Sequence, residues 1–165
     1  GLFFFVDTFS HMISTYLSGG KSSVLYKDLV DTKKLAAQVG AFNQEQEDYG
    51  MYLIFALPLG ETSLETLSSE IESKIEKLRT DLISQEDFEK LQNNAEADFV
   101  NSNSSIAGIA GSLATYYMLY DNTDLINTEI DIYRSITKEE IREVANKYLK
   151  PTQRVVLEYL PKEQQ

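Results

Sequence analysis

The sequence predicts an α+β fold, in which an antiparallel sheet carries helices packed on one of its faces as a two-layer sandwich. Two apolar runs, 35–42 and 49–57, flank the polar segment 43–48, which is the pattern of a β-hairpin. Most of the remaining chain has apolar residues at steps of three and four, as amphipathic helices do. A valine-rich run at 154–160 predicts a last strand that pairs with the hairpin.

The first helix is predicted to begin at Asp7, because aspartate is a good N-cap residue. It is predicted to end at Gly19-Gly20, since glycines commonly close helices. Before it, Gly1–Val6 fits either an edge strand or a lead-in to the helix. After it, Ser22 or Ser23 can cap a second short helix that leads to the hairpin.

The helices after the hairpin have recognisable starts and stops. Thr62–Glu65 and Thr137–Glu140 have the capping-box pattern, and Ser84 with Asp87 caps the helix between them. The polar run 101–105 predicts either a break or a frayed turn, and a further short helix with loops is predicted over 121–136. The helix predicted over 106–120 contains small residues that would let another backbone approach closely: Gly108, Ala110, Gly111 and Ala114.

Composition limits the kinds of partner. The 165 residues fit one domain, and 42% hydrophobic residues without a long apolar run favour a soluble protein with no membrane span. The net charge of −11 makes nucleic acid an unfavourable partner, because the phosphate backbone attracts cationic surfaces. The chain has no cysteine, which removes disulfides and thiolate chemistry.

The sequence predicts no catalytic residue and no metal ligand. His11 is the one histidine, whereas an H-x-x-E-H zinc site needs two. A Ser-His-Asp triad could use only His11, no G-x-S-x-G elbow is present, and we expect this histidine to be structural or at the surface. Gly20-Lys21-Ser22 is no phosphate-binding loop, because Thr15 stands where the motif needs a glycine.

Three segments together resemble one known family. They are 17–36 (LSGGKSSVLYKDLVDTKKLA), 83–91 (ISQEDFEKL) and 136–149 (ITKEEIREVANKYL), the last followed by Pro151 and a valine-rich run that ends at Pro161. Their order and spacing resemble the second domain of pitrilysin/insulinase-type zinc peptidases, the inverzincin group that includes mitochondrial processing peptidase. The resemblance covers about residues 7–161.

The resemblance implies that residues 1–165 are a fragment of a longer zinc metallopeptidase and are inactive alone. In that family the first domain carries the H-x-x-E-H zinc site, and two halves close around a chamber that admits unfolded peptides. The second domain has no zinc ligands and supplies chamber wall. The expected partners are therefore an H-x-x-E-H domain, in the same chain or a partner subunit, and an unfolded peptide. Zinc is expected in that other domain.

The resemblance also directs attention to two sets of residues. Many members hold substrate with an Arg and a Tyr seven residues apart, and the matching positions here are Val30 and Ala37. The pair is missing, so the chain is expected to be either the second domain of the zinc-carrying half or part of a non-catalytic half. The glycine-rich turn is the other candidate, either as a helix end or as a surface that touches peptide: Gly19, Gly20, Lys21, Ser22 and Ser23.

Two other readings stay open at this point. The chain could be a catalytically inactive structural or partner-subunit homologue, as in respiratory-complex core proteins that share this fold. It could also be an unrelated α+β interaction domain with the apolar N-terminus as its binding edge. The sequence leaves the compartment undecided between periplasm and cytoplasm for a bacterial protein.

Overall fold

The computed structural model describes residues 2–44 and 50–160, with side chains from Asp7 onward. The described residues form six α-helices and a two-stranded antiparallel sheet, which confirms the predicted α+β class. The elements in chain order are α1 Leu2–Ser18, a π-helix Tyr26–Thr32, β1 Ala36–Gln44, β2 Met51–Pro58, α2 Leu64–Thr80, α3 Gln85–Ser102, α4 Ile106–Tyr120, α5 Leu125–Ser135, α6 Lys138–Tyr148 and a 3₁₀ turn Pro151–Gln153.

The predicted hairpin is confirmed. The two strands pair in an unbroken register from Gln38 opposite Leu57 to Gln44 opposite Met51. A shift in register between Ala36 and Gln38 marks a bulge at the start of β1. Most of the predicted connecting loop lies in residues 45–49, outside the described residues.

The helix starts follow their capping residues. The Ser84 hydroxyl accepts the N–H of Asp87 at 3.1 Å, and Thr137 with Glu140 forms a complete capping box. The predicted break at 101–105 separates α3 from α4. Within α4, Gly108 lies so close to the Ser102 carbonyl that a Cβ there would collide with it.

The start of α2 differs by one residue from the capping box predicted at Thr62. Ser63 is the N-cap, since its hydroxyl accepts the N–H of Thr66 at 3.1 Å. The Thr62 hydroxyl instead donates to the carbonyl of Leu59 at 2.8 Å. Thr62 therefore closes the preceding turn rather than the helix.

The prediction for the N-terminal residues was also wrong. Helix α1 begins at Leu2, so Asp7 lies inside the helix and does not cap it, and residues 2–6 are neither strand nor lead-in. The Asp7 carboxylate accepts the Tyr120 hydroxyl at 2.8 Å, which ties α1 to the end of α4. Burial raises the pKa of Asp7, while that hydrogen bond opposes the shift. Asp7 therefore stabilises the contact between two helices and does not cap one.

The core lies between α1, the hairpin and the ends of the other helices. Its largest fully buried side chains are Phe9, Met12, Leu17, Leu25, Leu29 and Ile141. Tyr52 of β2 enters this region, where its hydroxyl accepts a hydrogen bond from Ser14 of α1 at 3.1 Å. Burial raises the pKa of Tyr52 to about 12. A smaller cluster around Tyr116 and Leu125 joins α4 to α5.

The third strand predicted at 154–160 was wrong. These residues follow the 3₁₀ turn without regular structure, and every one of them is exposed. A strand needs a partner edge, and a large cavity separates this segment from β2. In the described part of the chain, none of the helices is both long and apolar enough to cross a bilayer.

Candidate functional site

The glycine-rich turn forms a tightly bonded helix end. The N–H of Gly19 donates to the Thr15 carbonyl and that of Gly20 to the Ser18 carbonyl, both at 2.8 Å. Gly20 has a φ of +106°, which favours glycine because a side chain would be strained there. The buried Ser23 donates its hydroxyl to the Gly20 carbonyl at 2.6 Å and its N–H to the same oxygen at 3.1 Å. Several donors of the turn are therefore used within it.

Gly19, Gly20, Lys21 and Ser22 are exposed, and of these only Lys21 and Ser22 have polar side chains. These two side chains carry the ammonium and hydroxyl donors that face solvent. Contact between this turn and a peptide stays a prediction.

The two positions where the family resemblance places an Arg and a Tyr have different environments. Val30 lies within the π-helix and is half-buried against the main core. Ala37 is exposed and is the extra residue of the bulge at the start of β1. Neither side chain can donate or accept a hydrogen bond. No polar clamp on substrate can therefore come from these two side chains.

The hairpin face turned away from the core carries an open apolar surface that the sequence reasoning missed. Phe42, Met51, Phe55 and Leu57 are 44, 53, 43 and 55% exposed and lie on this face. The rings of Phe42 and Phe55 meet edge to face, with centroids 6.4 Å apart. Phe55 also covers Gly40 so closely that a Cβ there would collide with the ring. We call Phe42, Met51, Phe55 and Leu57 the open sheet face.

A signal for this face was present in the sequence. The run 49–57 is apolar at nearly every position, whereas a strand with one solvated face alternates apolar and polar residues. Apolar side chains of both parities indicate a strand whose two faces are both meant to be covered.

A cavity lies along β2, and its lining also includes Gln38 and Asn43 of β1. It has a volume of about 1390 Å³ and runs between β2, helix α2 and the segment 153–159. Apolar side chains from α2 line it, namely Leu64, Leu67, Ile71 and Ile75. The cavity is therefore a long apolar space beside the edge of the sheet.

A polar cluster surrounds His11 on the other side of α1. The His11 Nε2 lies 3.6 Å from the Asp98 carboxylate, and its ring meets that of Tyr133 edge on. Nearby, Tyr116 donates a hydrogen bond to Glu129. Burial raises the pKa of Glu129, although the Tyr116 hydrogen bond and the charge of His11 oppose the shift. The cluster connects α1, α3, α4 and α5.

The residues that the structure describes include no group of three histidine, aspartate or glutamate side chains able to hold a metal ion. The His11 cluster contributes one histidine and separate carboxylates. The structure brings together an apolar surface and an apolar cavity.

Comparisons with known proteins agree with the resemblance seen in the sequence. Residues 9–95 match the family model described as the Peptidase M16 inactive domain. The zinc protease PqqE of Helicobacter pylori is 33% identical over 141 residues, which cover 86% of this chain and 32% of that protein. The chain thus spans about a third of the length of this curated relative.

Solved structures show the same fold. A protease from Helicobacter pylori matches with a TM-score of 0.82 at 30% identity, covering 90% of this chain and 36% of that one. The inactive peptidase domain of a zinc protease from Bordetella parapertussis matches with a TM-score of 0.83 at 21% identity, covering 98% of this chain and 85% of that one. The family model covers more than half of the chain, and the chain therefore belongs to the family of M16 peptidase inactive domains.

Proposed function

We propose that residues 1–165 form the substrate-confining domain of a zinc endopeptidase whose metal site lies in another domain. The observation that carries the proposal is the open sheet face, an apolar surface on a member of a family of inactive peptidase domains. The Helicobacter pylori relative is named as a zinc protease, and this chain matches only part of it. The accessory role thus fits both the chemistry and the length of the match.

The open sheet face suits unfolded peptides. Apolar side chains of an extended peptide lose contact with water when they lie on Phe42, Met51, Phe55 and Leu57. Because the hydrophobic effect is non-directional, this surface can bind peptides of many different sequences. Lys21 and Ser22 at the glycine-rich turn add donors that can bind peptide carbonyls or a carboxylate. Confinement holds the peptide near a cleavage site without this domain taking part in the cleavage step.

Zinc belongs to the partner domain in this proposal. An H-x-x-E-H domain, in the same polypeptide or in a partner subunit, would hold the ion and activate the attacking water. The chain described here contributes one histidine, which pairs with Asp98. Its own part in the reaction is to bind and orient peptide.

The open sheet face is tested with Phe55→Ser in the complete peptidase. Partial burial of one phenylalanine against substrate is worth about 1 kcal/mol, which corresponds to a KM raised about fivefold with little change in kcat. Leu82→Ser is the matched control, because Leu82 is 42% exposed, as Phe55 is, and lies outside this face. Equal effects of the two substitutions on a fluorogenic peptide substrate would contradict the proposal.

The assignment of zinc binding and cleavage to another domain is tested with the 165-residue chain alone. We expect no tight zinc binding by calorimetry and no zinc-dependent peptide hydrolysis, whereas the complete polypeptide shows both. Robust zinc-dependent hydrolysis by residues 1–165 would contradict the proposal. A complete polypeptide without peptidase activity would instead favour the inactive structural homologue.

A further inference from the structure

A small cavity opens beside the His11 cluster, where four helices meet. It has a volume of about 300 Å³ and is lined by residues of α1, α3, α4 and α5 and by Asn103, which connects α3 to α4. Ligand pockets in proteins begin at about this volume. The cavity is therefore large enough for one small molecule or one side chain.

The cavity has a buried floor and an exposed mouth. Tyr116 and Tyr133 line it and are each 8% exposed. His11 and Asp98 line it as well, and their side chains are 47 and 63% exposed. The cavity therefore opens to solvent near His11 and Asp98 and ends at the two tyrosines.

One carboxylate in this cavity lacks a permanent counter-charge. Glu129 is half-buried, and its carboxylate accepts a hydrogen bond from the Tyr116 hydroxyl. The ion pairs of the described residues include none to Glu129, and the part of the lining that the structure describes contains no lysine or arginine. His11 is the one basic residue of that lining, and it lies 3.6 Å from Asp98 instead. Because a buried charge is costly unless it is paired, a cation from outside would be stabilised beside Glu129.

An acceptor in the same cavity wall is also unused. The Nδ2 of Asn103 donates to the Phe99 carbonyl at 3.0 Å, which fixes the orientation of the side-chain amide. The Oδ1 of Asn103 is buried and has no hydrogen-bond partner among the described residues. Buried polar atoms in folded proteins are nearly always hydrogen-bonded. The wall therefore offers a free acceptor to a donor that enters the cavity.

Aromatic rings make up much of the remaining lining. Phe99, Tyr116 and Tyr133 all line the cavity, and the ring of His11 meets that of Tyr133 edge on. The face of an aromatic ring attracts a cation, and sites for organic ammonium ions are commonly built from such rings. The lining thus combines rings, carboxylates and a free acceptor, which is a suitable environment for a cation that also has apolar carbon atoms.

We propose that this cavity binds a primary alkylammonium group. The ammonium pairs with the Glu129 carboxylate and donates to Asn103 Oδ1, while the alkyl chain lies against the aromatic rings. A primary ammonium has three N–H donors, whereas a quaternary ammonium has none and would leave Asn103 Oδ1 without a partner. A metal ion fits less well, because the described residues include no group of three carboxylate or histidine side chains that could hold one.

This site is separate from the surface assigned to peptide. None of the four residues of the open sheet face lines the cavity. The alkylammonium group can come from a free alkylamine or from a lysine side chain of a protein chain, and both present the same chemistry to Glu129.

Calorimetric titration of the complete polypeptide with n-butylamine tests the proposal. At about pH 8 the amine is protonated, and a carboxylate with a raised pKa can ionise. We expect one site per chain with a Kd of about 1 mM, because the ligand has few atoms. Butan-1-ol has the same chain length without the charge and should not bind. Tetramethylammonium should bind about tenfold more weakly than n-butylamine, because it has no N–H donor.

Two substitutions and a matched control locate the site. Glu129→Gln removes the charge and keeps the shape, so the Kd should rise about tenfold. Ser112→Leu fills the cavity and leaves the carboxylates in place, and it should abolish binding. Glu143→Gln is the control, because Glu143 is an exposed glutamate of α6 outside the cavity, and the Kd should not change. Circular dichroism checks that each variant is folded. An unchanged Kd in Glu129→Gln, or an equal rise in the control, would overturn the proposal.

A blocked lysine tripeptide distinguishes the two sources. Tighter binding of the tripeptide than of n-butylamine would assign the site to a lysine side chain, and tighter binding of n-butylamine would assign it to a free alkylamine. Absence of binding by both compounds would refute the proposal. None of these measurements depends on peptidase activity, so the proposed function and this inference can fail separately.

Discussion

Replacing Ser18 with alanine should destabilise the protein through the edge of β1. In the wild-type protein, the Ser18 hydroxyl receives the Ala41 N–H at 2.8 Å. Ala41 is only 8% exposed, so water cannot readily replace the lost partner. The substitution Ser18→Ala leaves a buried donor unsatisfied, while it removes few atoms from the core. The effect therefore isolates one hydrogen-bonding group.

The magnitude follows from two opposing effects. An unsatisfied buried amide costs about 1–3 kcal/mol. Alanine is a better helix former than serine by about 0.5 kcal/mol, and less at a helix end such as position 18. The free energy of unfolding should then fall by about 1–2 kcal/mol. Domains of this kind are stable by about 5–15 kcal/mol, so the change is large enough to measure and small enough to leave the fold intact.

Urea unfolding followed by circular dichroism measures this change. Ser22→Ala is the control, because Ser22 is exposed and its substitution should change the free energy of unfolding by less than about 0.5 kcal/mol. Faster exchange of the Ala41 amide in Ser18→Ala should accompany the loss. A destabilisation no larger than that of the control would refute the hydrogen bond assigned between Ser18 and the Ala41 N–H.

Three further substitutions have defined outcomes. Burial raises the pKa of Glu129, so the stability that its protonated form contributes is lost as pH rises from about 4.5 through the higher folded-state pKa. In urea unfolding, Glu129→Gln should therefore gain stability relative to wild type across that pH range. A difference that stays constant with pH would contradict the raised pKa. Burial alone would raise the pKa of Asp28. The ammonium groups of Lys74 at 2.9 Å and Lys33 at 3.1 Å outweigh the effect of burial and hold this pKa below its usual range. Asp28→Asn should therefore cost about 1 kcal/mol at pH 7 and nothing once pH falls below the folded-state pKa, which the same unfolding series checks. Gly40→Ala should destabilise by up to about 1 kcal/mol because its Cβ displaces the ring of Phe55, and should become neutral or stabilising in a Phe55→Ala background; equal effects in both backgrounds would show that the ring is not the cause.

Much of the helical structure could be predicted because its signals are local. Ser84 and Thr137 bond to amides three residues ahead, so a few neighbouring residues determine where α3 and α6 begin. The N-terminal residue of α1 was missed because Asp7 can cap a helix or bind a distant partner, and Tyr120 lies 113 residues away. Sequence spacing carries no information on that contact.

The candidate site was harder to predict than the fold. The family resemblance pointed to the glycine-rich turn and to Val30 and Ala37, whose placement depends on the core and on a bulge in β1. The segment 154–160 has the composition of a strand, yet composition cannot supply the neighbouring edge that a strand needs. The sheet of the described residues therefore has fewer strands than the sequence has strand-like segments.

The composition of β2 bears on the proposed function. Tyr52, Ile54 and Ala56 contact the core, while Met51 and Phe55 of the opposite parity stay exposed. A strand that served only as the outer layer of a small domain would carry polar residues at those exposed positions, because exposed apolar surface stabilises neither folding nor solubility. Apolar residues at both parities indicate a strand whose two faces are both meant to be covered. The inner face packs against the core of this chain, and the outer face is the surface that the proposed function assigns to peptide.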